Sequence, residues 1–145
     1  MRRCKIGETE VCAKEIAAGL KERPFSKFAT VVGLSGELGS GKTAFVKALA
    51  LALGITEEVV SPTFVIERIY KLSPGGTFRH LVHIDAYRLE SEEELLSLGW
   101  EELAADHDNL ILIEWPERVK KIIPTDAMNI SFKFIDEETR EITWK

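Results

Sequence analysis

Hydrophobic positions along this chain switch between two periods. Over residues 9–20, Cys12, Ile16 and Leu20 recur at helical spacing while Glu10, Lys14, Glu15 and Lys21 are left to face water, which predicts an amphipathic helix ending near Arg23-Pro24. Residues 29–35 form a short apolar, β-branched run that leads into glycine-rich sequence, as a buried central strand would. Residues 43–53 are rich in Ala and Leu and stop at Gly54, predicting a second helix. Two β-rich runs, 65–72 and 78–84, flank Ser73-Pro74-Gly75-Gly76 and read as a hairpin, so part of the sheet is expected to be antiparallel. Residues 91 to about 106 read as helix, broken at Gly99 into two short pieces, with Ser91-Glu92-Glu93-Glu94 resembling a capping box. Asn109–Glu114 is almost uninterrupted in its apolar character and suits a strand covered on both faces. Pro116 starts a short helix through Lys121, and residues 128–135 and 139–144 alternate around Asp136-Glu137-Glu138 as a terminal hairpin. The expected architecture is α/β: a central, mixed but mostly parallel sheet flanked by helices, with a C-terminal β-hairpin.

Composition narrows the function. With 145 residues and 45% hydrophobic content the chain is expected to fold as one domain over 1–145, and no repeat, low-complexity tract or long linker argues for a cut. The net charge is -5, with Lys and Arg dispersed among Asp and Glu, so no basic stripe advertises direct nucleic-acid binding. If the protein serves RNA, a partner is expected to do the gripping. Cys4 and Cys12 fit neither a metal pattern nor a disulfide framework and read as small apolar residues in a reducing compartment. The N-terminus lacks an apolar leader and no stretch is long enough to span a bilayer, which suggests a cytoplasmic protein.

The chemistry is concentrated at Gly36-Glu37-Leu38-Gly39-Ser40-Gly41-Lys42-Thr43. A glycine-rich turn between a strand and a helix lets backbone N–H groups wrap phosphates and deliver them to a helix N-terminus, where the macrodipole favours negative charge. Glu37, Leu38, Gly39, Ser40, Gly41, Lys42, Thr43 and Ala44 are the expected phosphate cradle, with Lys42 reaching the outer phosphates and the Thr43 hydroxyl a ligand of Mg2+. Such a loop also needs an acid at the carboxyl end of a neighbouring strand, to hold the metal with its water shell or to orient the attacking water. Asp85, after Leu81-Val82-His83-Ile84, and Glu114, after Leu110-Ile111-Leu112-Ile113, are the two candidates. Thr63, in Ser61-Pro62-Thr63-Phe64, stands where a switch residue would meet metal or γ-phosphate, or where a Pro-containing turn would simply satisfy its hydroxyls. Arg88 suits an arginine finger or a surface ion pair. His83 suits packing or hydrogen bonding more than catalysis, and Trp115 suits either core or a shield over the site.

No Asn/Thr-Lys-x-Asp segment and no Asp-x-x-Gly switch occurs, which argues against a GTPase. The absence of an arginine-rich lid insertion leaves a small-molecule kinase as runner-up, beside a non-catalytic ATP-dependent binding module. Four motifs, the loop at 36–43, Ser61-Pro62-Thr63-Phe64, His83-Ile84-Asp85-Ala86-Tyr87-Arg88 and Ile113-Glu114-Trp115-Pro116-Glu117, resemble in order and spacing the TsaE (YjeE) family of bacterial P-loop ATPases. The resemblance runs from about Gly7 to Arg140. It implies ATP and Mg2+ as cofactors and action with the tRNA threonylcarbamoyl transferase subunit TsaD and its paralogue TsaB. Together these form the threonylcarbamoyl group (t6A) on the anticodon-adjacent adenosine of tRNAs reading ANN codons. By the same resemblance Lys42 and Thr43 serve phosphate and metal, Asp85 is the metal-linked acid, Glu114 and Trp115 are needed for turnover, and Thr63 is the switch threonine. Glu8 and Thr9 line the base or ribose pocket, and contact with tRNA is weak or through the partners.

Overall fold

A computed structural model describes residues 2–24, 26–37, 40–55, 67–73 and 76–144. Its centre is a seven-stranded sheet in the order β1-β7-β6-β2-β5-β4-β3. The strands are β1 (Arg2–Lys5), β2 (Thr30–Ser35), β3 (Glu67–Lys71), β4 (His80–Asp85), β5 (Asn109–Glu114), β6 (Met128–Phe134) and β7 (Thr139–Trp144). The four inner strands, β6, β2, β5 and β4, run parallel. Both margins are finished by antiparallel pairs, β3 on β4 at one side and β6-β7-β1 at the other.

The helices follow the hydrophobic pattern. α1 (Thr9–Lys21) buries Cys12, Ala13, Ile16, Ala17 and Leu20, and α2 (Lys42–Ala52) buries Phe45, Val46, Leu49 and Ala50. These faces meet Val32, Leu34, Leu81, Leu112, Ile130 and Phe132 on one side of the sheet. On the other side Val31, Val82, Ile84, Ile111 and Ile113 pack with Leu95 of α3 (Glu92–Ser97), Trp100 of α4 (Trp100–Ala104) and Val119 of the 3-10 segment Pro116–Ile122. β5, in the middle, is buried at every position, as its uninterrupted apolar run predicts. Among the described residues no helix is long and apolar enough to cross a membrane.

Three local expectations are revised. Ser91 does stand at the N-terminus of α3, but its hydroxyl makes no capping bond, so the acidic first turn of Glu92, Glu93 and Glu94 is what opposes the helix dipole. The strand β1 is absent from the hydrophobic pattern because Arg-Arg-Cys-Lys carries no alternation; it is held by backbone pairing to β7. Cys12 lies fully buried on α1 and is disulfide-bonded, not the unmodified thiol that composition suggests. The helix break at Gly99 is as expected, with φ at 89°.

Phe45 couples the loop helix to the sheet: it is fully buried and stands edge-on to Phe132 of β6, with ring centroids 5.2 Å apart. Phe45→Ala is expected to lower unfolding stability by about 3–5 kcal/mol, the usual cost of emptying an aromatic site. Urea unfolding should show a lower midpoint with an unchanged slope.

Candidate functional site

The end of β2 and the start of α2 are joined by the glycine-rich turn, at the carboxyl edge of the parallel strands. Two glycines there are dictated by geometry. A Cβ on Gly36 would lie 2.6 Å from the Phe132 carbonyl oxygen and 2.8 Å from Ser40 Oγ. Gly41, which precedes the first residue of α2, has φ at 100°, a region that L side chains avoid. Gly36→Ala is accordingly expected to cost about 1–3 kcal/mol through forced displacement of backbone. Its signature would be a lowered Tm in thermal unfolding.

Lys42 opens α2 and is nearly buried. Its ammonium donates to the Gly36 carbonyl oxygen at 2.5 Å and lies 3.9 Å from the centroid of the Trp115 ring. Burial lowers its pKa below the ordinary 10.5, opposed by the charges of Glu114, Glu117 and Asp85. Three carboxylates therefore act on one partly desolvated cation. Ser40 Oγ, in the same turn, is buried with no hydrogen-bond partner among the described residues.

Asp85 and Glu114 end the adjacent parallel strands β4 and β5 and are paired in register. Alternation places both, with His83, on the sheet face that carries α2. Asp85 is half-buried and accepts from the Tyr87 backbone N–H at 2.9 Å. Glu114 is buried, and its Oε2 lies 2.8 Å from His83 Nε2. Trp115 follows with φ 59° and ψ 52°, a left-handed conformation that is uncommon for a bulky residue. Its backbone N–H donates to the Leu34 carbonyl at 3.2 Å, which fixes the reversal. That reversal is what lays the indole over Lys42. The Tyr87 ring sits 5.1 Å from the indole, and the Arg118 guanidinium is 5.6 Å from the Tyr87 ring.

The C-terminal hairpin closes the other flank. In β7, Arg140 pairs with Phe134 in register and lies on the same face as Ile142. A Cβ on Gly41 would stand 3.8 Å from Arg140 Cγ. The guanidinium lies 4.6 Å from the Phe134 ring centroid and donates to the Asp136 and Thr139 carbonyls, while its Nε is buried and has no partner among the described residues.

This arrangement can be set beside known proteins. The family model for Threonylcarbamoyl adenosine biosynthesis protein TsaE matches residues 5–142. The chain belongs to the TsaE family. Among curated relatives, the tRNA threonylcarbamoyladenosine biosynthesis protein TsaE of Treponema pallidum is 42% identical over 114 residues, covering 79% of this chain and 80% of that protein. The Bacillus subtilis protein of the same name is 38% identical over 137 residues, covering 94% and 78%. The crystal structure of Bacillus subtilis YdiB superposes with a TM-score of 0.70 at 32% identity, covering 99% of this chain and 84% of that one. The P-loop-type α/β fold expected from the sequence is thus found.

Of the residues to which the TsaE resemblance points, Ser40, Gly41, Lys42, Asp85, Glu114 and Trp115 are gathered at this edge of the sheet. Glu37 is exposed, its carbonyl accepting from the Ser40 N–H at 3.1 Å, and Thr43 and Ala44 are exposed on the first turn of α2. Glu8 is exposed at the end of the 3-10 turn Ile6–Glu8, and Thr9 begins α1, which packs along α2. Leu38, Gly39 and Thr63 lie outside the described residues. Sequence reasoning did not place Arg140 or Tyr87 at the loop, nor join His83 to Glu114. For Arg140 a signal was present: it shares parity with the apolar Ile142. What was missing was the position of β7 relative to α2.

Proposed function

We propose that this TsaE-family chain is a magnesium-dependent ATPase that works with TsaD and TsaB in forming t6A on tRNAs that read ANN codons, without itself transferring the group. One observation carries the enzymatic part: the partly desolvated ammonium of Lys42, at the end of the glycine turn, feels the charges of Glu114 and Asp85, which end adjacent strands in register. The names of the curated relatives, which are tRNA threonylcarbamoyladenosine biosynthesis proteins, support the pathway.

The residues present fit an anionic ligand. Among the described residues two buried donors lack partners, Ser40 Oγ, beside Gly36, and the Nε of Arg140, whose Cγ lies beside Gly41. Lys42 would neutralise the outer phosphates, with turn N–H groups and Arg140 adding positive potential. Thr43 and Asp85 would hold Mg2+, which supplies charge neutralisation on the phosphates when bound. Glu114 would orient the attacking water and receive its proton, and Trp115 would keep bulk water out. Thr63 is assigned as the switch threonine, and Glu8 and Thr9 to the adenine and ribose end, on the family resemblance.

ATP hydrolysis by the purified chain, alone and with TsaD and TsaB, tests this reading. Turnover is expected to rise with the pair, and t6A formation on unmodified tRNA to require this chain and hydrolysable ATP. Turnover indifferent to the pair, with t6A formed equally well in its absence, would defeat the pathway assignment.

A further inference from the structure

Glu114 and Lys42 carry opposite charges, both are nearly buried, and the carboxylate is the strongest of the charges that favour the protonated lysine. In a partly desolvated site such groups attract strongly. Yet among the described residues Glu114 is bonded to His83, and Lys42 to the Gly36 carbonyl, rather than to each other. The bond to His83 is a diagonal one: His83 is in register with Leu112, while Glu114 is in register with Asp85. His83 is almost completely buried beneath the carboxylate. A carboxylate offers acceptors only, so His83 Nε2 carries the donated hydrogen. The other ring nitrogen, Nδ1, is buried without a partner among the described residues. An unmet buried polar atom of that kind is a cost to the fold that packing does not explain.

From this geometry we infer that His83 is a positioning residue for ATP turnover: it anchors one oxygen of Glu114 and so holds the carboxylate off Lys42, leaving the ammonium free for phosphate and the second oxygen free for water. The inference rests on the ATPase reading above. Without the imidazole anchor, Glu114 can turn about its side chain toward the ammonium. An internal ion pair then competes with nucleotide phosphate for Lys42 and withdraws the carboxylate from the attacking water. Two parameters suffer for one cause, and both effects need the charge on Glu114. That dependence separates positioning from general packing.

The test is a double-mutant cycle in the full chain, assayed for ATP turnover with TsaD and TsaB and for Mg-ADP binding by calorimetry. His83→Phe fills the buried site without a donor; His83→Gln restores an N–H near the position of Nε2. His83→Phe is expected to lower turnover by about 10- to 100-fold, the range seen when the partner that orients a site ligand is removed. It should also weaken Mg-ADP binding, and His83→Gln should recover most of both. In a Glu114→Gln background, where no ion pair can form, His83→Phe should leave Mg-ADP affinity unchanged. Equal loss of affinity in the two backgrounds would overturn the inference, as would full turnover by His83→Phe beside an inactive Glu114→Gln. Full turnover by Glu114→Gln itself would remove the catalytic role of Glu114 along with this one.

Discussion

Lys42→Met is expected to abolish ATP turnover while leaving the nucleotide-free protein at least as resistant to heat as the wild type. The first half follows from charge. Lys42 is the cation set into the glycine turn, and a point charge that meets the transferring phosphoryl group contributes to the transition state as well as to binding. Its loss should reduce turnover by about 10²–10³-fold or more, the scale of removing one preorganised electrostatic contact. The second half follows from the depressed pKa. Burial is the largest influence on Lys42 and outweighs the three carboxylates that favour its charge. With the folded pKa below 10.5, the unfolded chain holds the proton more firmly than the folded one. The protonated lysine therefore burdens the fold at neutral pH, and the burden disappears as pH rises through the interval between the folded value and 10.5. Methionine keeps the stem and drops the charge. Calorimetric unfolding without nucleotide checks the stability, and a clear fall in Tm would mean that the Gly36 and Trp115 contacts outweigh the desolvation.

Glu114→Gln is expected to cut turnover by about 10²–10⁴-fold, the range assigned to a positioned acid or base, with nucleotide binding retained or tightened. The amide is the same shape and still meets His83, so the strand end should not move. What changes is the charge that acts most strongly on Lys42, which repels phosphate and would accept a proton from water. Single-turnover hydrolysis combined with Mg-ADP titration separates the two. A variant that fails to bind nucleotide would place Glu114 in the phosphate or metal cradle instead of at the water.

Much of this protein was legible in its sequence, and for identifiable reasons. Periodicity located α1, α2 and the inner strands because those elements bury one face or both, and burial writes itself into residue type. The break at Gly99 and the turn at Gly36 and Gly41 were legible because glycine adopts positive φ without strain. That Asp85 and Glu114 would stand at strand ends also followed from sequence, each closing an apolar run. Their exact pairing in one register did not.

What the tertiary structure alone decided lies where contacts are made by backbone or by residues distant in the chain. β1 has no pattern because its hold on β7 is peptide hydrogen bonding, which any side chains permit. The hairpin of β6 and β7 was expected, but its place beside β2, parallel to it through β6, was not. That placement presses the Phe132 carbonyl onto Gly36 and brings Arg140 alongside Gly41, and so makes the hairpin a wall of the site. Trp115 was ambiguous in sequence because a large apolar residue serves a core and a lid equally well; its positive φ turns the indole onto Lys42. The diagonal from His83 to Glu114 depends on the stagger of two strands. The sequence by itself determined which elements form and which groups they carry, since both are properties of local composition. Distance and direction between those groups were decided by strand order and register, because a sheet is assembled from segments whose partners no local pattern names.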